Sequence, residues 1–274
     1  MPNYRILASD LDGTLFNSHH LLSAENEQAI AEIVKRGVWF VPSSGRAVGE
    51  MPSFLVDHPS IRYIIYADGA AVYDKQLGRA IIDRSMPQTS VVRALEILEK
   101  YAVSMTVRRR GISYVDEAHF DDAVLESYRI HPAYRRFIFD FSRPTPNFST
   151  FCRSLDSVEM ICIFFRHPAE QEECRGRLAE LGIFGLAASA PTNIEIFDCH
   201  AGKGSALLAL AEHLGVDPSQ TIAVGDSPND VDMLKKAGLS LAMGNADDVV
   251  KALADKTVCT HDEHVARYIL NHYI

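Results

Sequence analysis

The feature that most constrains this chain is a recurring pattern: a short apolar run that ends abruptly in a polar turn containing glycine. Tyr4 to Ser9 runs into Asp10-Leu11-Asp12-Gly13, Val38 to Val41 into Ser43-Ser44-Gly45-Arg46, and Ile61 to Ala67 into Asp68-Gly69. Thr221 to Val224 repeats it with Gly225-Asp226-Ser227-Pro228-Asn229-Asp230. Apolar runs this short, bounded by Gly and Pro, read as strands buried on both faces, which is the habit of parallel sheets. The intervening segments supply the crossovers. Ser23-Ala24-Glu25-Asn26 offers a hydroxyl cap and an acidic first turn, Ile30, Ile33 and Val34 share one helical face, and Gly37 closes the helix. The expected class is α/β, a Rossmann-like parallel-sheet core whose turns gather at the strand ends.

Between Asp83 and Ser189 the pattern is different. A helix around Val91 to Tyr101 precedes a strand-turn-strand unit, Val103 to Arg109 and Ile112 to Val115 about Gly111. Val158 to Arg166 reads as a strand and Pro168 to Leu181 as a helix with proline in its first turn. Phe139 to Ser154, rich in Pro, Ser and Phe, has no clear period. Hairpins with helices to one side indicate an inserted α+β module at 84–188, dividing a core made of 1–83 and 189–274. The core pattern is expected to resume with a strand at Ile194 to Phe197, then Gly202-Lys203-Gly204 and an apolar helix from Ala206 to Leu214.

Two carboxylates two positions apart at a strand end, Asp10 and Asp12, lean to one face if the backbone stays extended and invite a cation or a shared proton. The formal net charge of -9 argues against nonspecific nucleic-acid binding but leaves room for a local basic pocket for a small anion. Five cysteines without a Cys-x-x-Cys pair indicate a reducing, cytoplasmic setting, and Cys199-His200 reads as structural rather than as a thiolate site. The N-terminus enters a strand without a signal core and no run approaches the roughly 18 apolar residues of a span, so the expectation is a protein neither secreted nor membrane-embedded.

Taken together, Asp10 to Leu15, Ser44-Gly45-Arg46, Gly202-Lys203-Gly204 and Gly225 to Asp230 resemble the haloacid dehalogenase superfamily, in the order of its Cof-type sugar-phosphate phosphatase branch. The resemblance implies an insertion of the C2 cap type. It also implies a Mg²⁺-dependent phosphatase of small phosphorylated metabolites, with sugar phosphates as the expected class and pyridoxal phosphate and flavin mononucleotide as further candidates. Asp10 would be the nucleophile and Asp12 the general acid and base. Asp10, Asp226 and the Asp12 backbone carbonyl would hold Mg²⁺, an ion that prefers oxygen ligands. Ser44 and the Gly45 amide would bind phosphate, Lys203 would offset the charge of phosphate and Asp10, Asn229 would hydrogen-bond phosphate, and Asp230 would orient its neighbours.

Singly, each residue has a plainer reading: Ser44 as a turn former, Lys203 as a surface lysine at a helix start, Asp226 and Asp230 as a solvated cap cluster. Their conjunction favours the site. The alternatives are a phosphomutase, which passes the phosphoryl group to a second hydroxyl, and a noncatalytic binder of phosphometabolites. Three positions depart from the family pattern: Ser44 stands where threonine is frequent, Asp68 where asparagine is common, and His264 where glycine is frequent. In the insertion, Arg108-Arg109-Arg110-Gly111 is a candidate for reading an anionic leaving group, with a solvated basic turn as the plainer reading.

Overall fold

The computed structural model describes residues 4–274. They divide into two compact units, one running through Gly45, Pro52–Asp83 and Gly202–Ile274, the other comprising Arg46–Met51 and Arg84–Ala201.

The first unit is built on five parallel strands in the spatial order Lys256–Thr257, Leu239–Ala242, Thr221–Gly225, Ile6–Ser9, Trp39–Pro42. Ile6–Ser9 is completely buried and pairs with Thr221–Gly225 on one side and Trp39–Pro42 on the other. That central position puts the ends of the first, second and fourth apolar runs side by side. The third run behaves differently. Tyr63–Tyr66 leads an antiparallel meander with Ala71–Asp74 and Arg79–Asp83, tied to the parallel sheet by one parallel bridge between Ser43 and Ile65. Its apolar composition marks burial and carries no record of direction.

The helix Ala24–Lys35 starts at Ser23, whose hydroxyl accepts from the Asn26 amide, and buries Ala29, Ile30 and Ile33. Each of the two isoleucines contributes about 1.5–3 kcal/mol. Asn26, also buried, donates to the Leu15 carbonyl (3.1 Å) and accepts from the Ala266 amide (2.9 Å), so its polarity is matched at both ends. His264 precedes the helix Val265–His272 at φ 61°, a left-handed conformation that explains why glycine suits this place, and its Nδ1 lies 2.9 Å from the Ser23 hydroxyl.

The second unit holds a six-stranded sheet in the order Phe184–Ala187, Asn193–Asp198, Met160–Phe165, Val103–Arg109, Ile112–Asp116, Ser142–Thr145, antiparallel except for the last pair. Asn193–Asp198 pairs with Met160–Phe165 and Phe184–Ala187, so the segment expected to reopen the core belongs to this unit, whose boundary is Ala201 rather than residue 188. The region without a sequence period resolves into the end of the helix Pro132–Phe141, the strand Ser142–Thr145 and the helix Phe148–Ser154.

Strand alternation gives this sheet two unlike faces. Val107, Ile161, Ile163, Phe165, Ile194 and Ile196 join one apolar cluster with Val91, Leu95, Leu98 and Leu178 of the helices Gln88–Leu98 and Pro168–Glu180. Out of phase with them stand Thr106, Arg108, Cys162 and Glu195, also buried. Arg108 donates to Glu50 Oε2 at 2.9 Å, an ion pair buried on both sides. Arg109 is bound to Asp156 Oδ1 by Nη2 (2.6 Å) and Nε (3.0 Å). The basic turn is therefore organised by acidic partners within its own unit.

Candidate active site

Asp10 follows the central strand directly and is buried, with 6% of its surface exposed. Its Oδ1 accepts from Lys203 Nζ at 2.7 Å, and the same ammonium donates to Asp230 Oδ1 at 2.7 Å. Lys203 opens the helix Lys203–His213 after Gly202 and is itself 1% exposed, so the surface-lysine reading does not apply. Asp230 Oδ2 accepts from the backbone amides of Asp226 (3.0 Å) and Ser227 (3.1 Å). Both Asp230 oxygens are thus committed, which fits an orienting role.

Asp10, Asp226 and Asp230 bring carboxylate oxygens within 4.8 Å of one another. With Asp230 engaged by Lys203 and two amides, Asp10 and Asp226 are the pair in this cluster able to turn oxygens toward a cation. An all-oxygen donor set suits a hard divalent ion. Burial, then repulsion from Asp230 and Asp226, push the Asp10 carboxyl well above the usual carboxylate range despite Lys203. Burial and Asp230 likewise push Asp226 up to about 6, against the opposing hydrogen bond from Thr14. Lys203 is held well above the ordinary lysine range: burial acts against the ammonium, but Asp10, Asp230 and Asp68 together outweigh it. A site whose carboxylates resist ionisation is one that a cation would relieve.

Asp12 lies outside this buried cluster; its side chain is 42% exposed, with Oδ1 3.5 Å from His20 Nδ1. The expected pleat does not extend to it, because the strand ends at Ser9 and the backbone turns through Leu11, which is fully buried. Gly13 sits at φ +82°, and a Cβ there would run into the Asp226 carboxylate, so the turn can approach Asp226 only with glycine. Ser44 is buried, with its amide donating to the Ile65 carbonyl (3.0 Å) and its carbonyl accepting from the Asp68 amide (3.1 Å). The Ser44 hydroxyl and the Gly45 amide are the hydrogen-bond donors of this turn whose chemistry suits an anion. Asn229 Nδ2 donates to Asp68 Oδ1 at 3.2 Å and its Oδ1 accepts from the Ser227 hydroxyl at 2.5 Å.

The structure thus brings Asp10, Lys203, Asp226 and Asp230 into one cluster and ties Asn229 to Asp68. Two participants carried no sequence assignment. Thr14 Oγ1 donates to Asp226 Oδ1 (2.9 Å), and Asn245 Nδ2 to the Gly13 carbonyl (2.8 Å). Thr14 falls within the first motif, where a hydroxyl one turn beyond two acids was the available signal; Asn245 had none.

A parallel α/β core with a buried acid directly after its central strand, a buried lysine and a carboxylate cluster fits a hydrolase class that handles anionic substrates. The family model for haloacid dehalogenase-like hydrolases matches residues 7–269, and the chain belongs to that family. It is 29% identical to phosphatase YwpJ of Bacillus subtilis, over 98% of this chain and all of that protein. It is 27% identical to the 5-amino-6-(5-phospho-D-ribitylamino)uracil phosphatase YcsE of the same organism, covering 98% of this chain and 96% of the relative. A solved haloacid dehalogenase-like hydrolase from B. subtilis superposes with a TM-score of 0.84 at 28% identity, covering 98% of this chain and 100% of that one.

Proposed function

We propose that this protein is a Mg²⁺-dependent phosphatase of small phosphomonoesters, sugar and sugar-alcohol phosphates foremost, acting through a phosphoryl group carried on Asp10. The observation that carries the reading is the buried Lys203 ammonium 2.7 Å from both Asp10 and Asp230, beside Asp226. A binding protein has no need to hold a carboxylate at the end of its central strand against so unfavourable an environment; a nucleophile must be held there. The names of YwpJ and YcsE support phosphomonoester hydrolysis, and the second supports a polyol as leaving group.

In this mechanism an Asp10 oxygen attacks phosphorus while the bond to the leaving alkoxide breaks, and Asp12 gives that alkoxide a proton. Asp12 then takes a proton from a water that attacks the phosphoaspartate, releasing inorganic phosphate and restoring Asp10. The exposed position of Asp12 suits a group that must meet both alcohol and water. Lys203 holds Asp10 in place and offsets charge on the equatorial oxygens, which the Ser44 hydroxyl, the Gly45 amide and Asn229 receive. Asp10, Asp226 and the Asp12 carbonyl would hold Mg²⁺, which when bound neutralises the repulsion between two anions.

Among the described residues no helix is long and apolar enough to cross a membrane. A cytoplasmic setting is proposed from the five free thiols. The test is phosphate release from a panel of phosphorylated metabolites without added bisphosphate. Turnover should vanish with EDTA and return with Mg²⁺, and Asp226→Asn should raise the Mg²⁺ needed for half-activity at least tenfold, on the scale of losing one charged metal ligand. Activity that survives exhaustive chelation, or that returns only with Zn²⁺, would refute it; strict dependence on a bisphosphate activator would indicate a mutase.

A further inference from the structure

Asp68 is the acidic residue beside this site that the proposed chemistry does not use. It is buried, with 2% of its surface exposed, in a turn where both Ala67 (φ 48°) and Asp68 (φ 50°) adopt the left-handed conformation. Two consecutive residues with side chains in that region are strained and persist only where the surroundings hold them. The Asp68 amide is fixed by the Ser44 carbonyl at 3.1 Å, and Oδ1 by Asn229 Nδ2 at 3.2 Å. The carboxylate stands against Gly45: a Cβ built on that glycine would lie 3.1 Å from Oδ1 and 3.3 Å from Oδ2. Asp68 also acts electrostatically on Lys203. It therefore belongs to the end of the site where Ser44, Gly45 and Asn229 are proposed to receive phosphate.

One atom of this arrangement has no protein partner. Asp68 Oδ2 is buried and makes no hydrogen bond. A buried polar atom left unsatisfied is destabilising, and native proteins seldom carry one without a use. An ionised carboxylate only accepts hydrogen bonds, so a phosphate oxygen cannot satisfy it and would be repelled by it. What fits Oδ2 is a donor carried into the site together with the phosphate, at the distance of a neighbouring carbon.

Resting on the phosphatase reading above, we propose that Asp68 is a specificity residue that accepts a hydrogen bond from a hydroxyl on the carbon adjacent to the phosphoester carbon of the substrate. The substrate class is then the phosphomonoesters of vicinal polyols. Such a substrate supplies the missing donor, whereas a deoxy substrate leaves Oδ2 buried and unpaired. Sites built to pair a substrate hydroxyl discriminate strongly against analogues that lack it.

The test crosses two enzymes with two substrates that differ by one hydroxyl, glycerol 3-phosphate and 3-hydroxypropyl phosphate, with 4-nitrophenyl phosphate as a third ester that has no vicinal hydroxyl. The parent should favour glycerol 3-phosphate in kcat/KM by about tenfold or more, and Asp68→Asn should reduce that ratio to under about threefold. Asp68→Asn is isosteric and keeps an oxygen for Asn229; Asp68→Ala, which removes both oxygens, should abolish the preference as well. A parent without the preference, or variants that lose activity equally on both esters, would overturn the proposal and leave Asp68 as a support for Asn229. A parent that hydrolyses 4-nitrophenyl phosphate but shows either result refutes this inference alone. A parent inactive on all three esters refutes the phosphatase reading and this inference with it.

Discussion

Replacing Lys203 with methionine removes one charge and almost no volume, and the structure sets the consequence. The ammonium is fully enclosed and makes charged hydrogen bonds of 2.7 Å to Asp10 and to Asp230. Its loss strands two buried carboxylates next to Asp226. Breaking a buried ion pair from one side costs about 3–5 kcal/mol. At roughly 2–4 °C per kcal/mol for a unit of this size, a loss near 4 kcal/mol lowers the melting temperature by about 8–16 °C. The penalty depends on pH in a defined direction. The Asp10 carboxyl is already raised in the folded protein by burial and by Asp230, and loss of Lys203 raises it further. A group whose folded pKa lies above its unfolded value adds stability at low pH and loses it as pH rises through the folded pKa. Lys203→Met should therefore be least impaired at pH 5 and most impaired at pH 8. The assay is thermal unfolding of parent and variant at both values, in EDTA so that metal does not substitute for the lysine, with phosphatase turnover measured alongside. A loss below about 1 kcal/mol at pH 8, or an equal loss at the two pH values, would refute the reasoning.

Two further predictions concern groups away from the site chemistry. Asp74 is buried; burial raises its carboxyl, but the Arg62 guanidinium and the amides of Gln76 and Leu77 prevail and hold it below the usual range. Asp74→Asn should cost about 2 kcal/mol near pH 7, reduced from the fully buried figure because Arg62 is partly exposed, and the gap should close as pH falls below about 4; chemical unfolding at both pH values checks it, and a gap that widens in acid contradicts it. Burial pushes the thiols of Cys152, Cys162 and Cys174 up to about 12 and that of Cys259 up to about 11, while Cys199 is exposed. A thiol reagent at pH 8 should modify Cys199 first, Cys259 more slowly and the other three only on unfolding; rapid modification of any of those three would contradict the packing.

The site was largely legible because its residues are bound to strand ends, where an apolar run followed by a glycine turn announces position and chemistry together. Asp10, Lys203, Asp226 and Asp230 were grouped by the resemblance of their ordered motifs to one family. What remained hidden depended on long-range pairing. Ile194 to Phe197 has the same apolar composition whether it joins a parallel core or an antiparallel sheet, and its partnership with Met160–Phe165 decides the matter only in three dimensions. Ile61 to Ala67 announced a buried strand but not the reversal into Ala71–Asp74. Phe139 to Ser154 mixes a helix end, a short strand and another helix in 16 residues, too few of each to establish a period. The run Arg108 to Arg110 looked solvated, yet Arg108 is buried against Glu50, 58 positions away in sequence. Asp68 differed from the family pattern in plain sight, but only the coordinates show its second oxygen without a partner.

The central claim is that Asp10 carries the phosphoryl group, and trapping that species tests it most directly. Enzyme mixed with Mg²⁺ and a good phosphomonoester, quenched in acid during turnover and digested, should show one added phosphoryl group on the peptide containing Asp10, absent from Asp10→Asn and accumulating in Asp12→Asn if the second step depends on that residue's basicity. Phosphate release in full bursts and steady state with no label on Asp10, or with the label on another residue, would contradict the account.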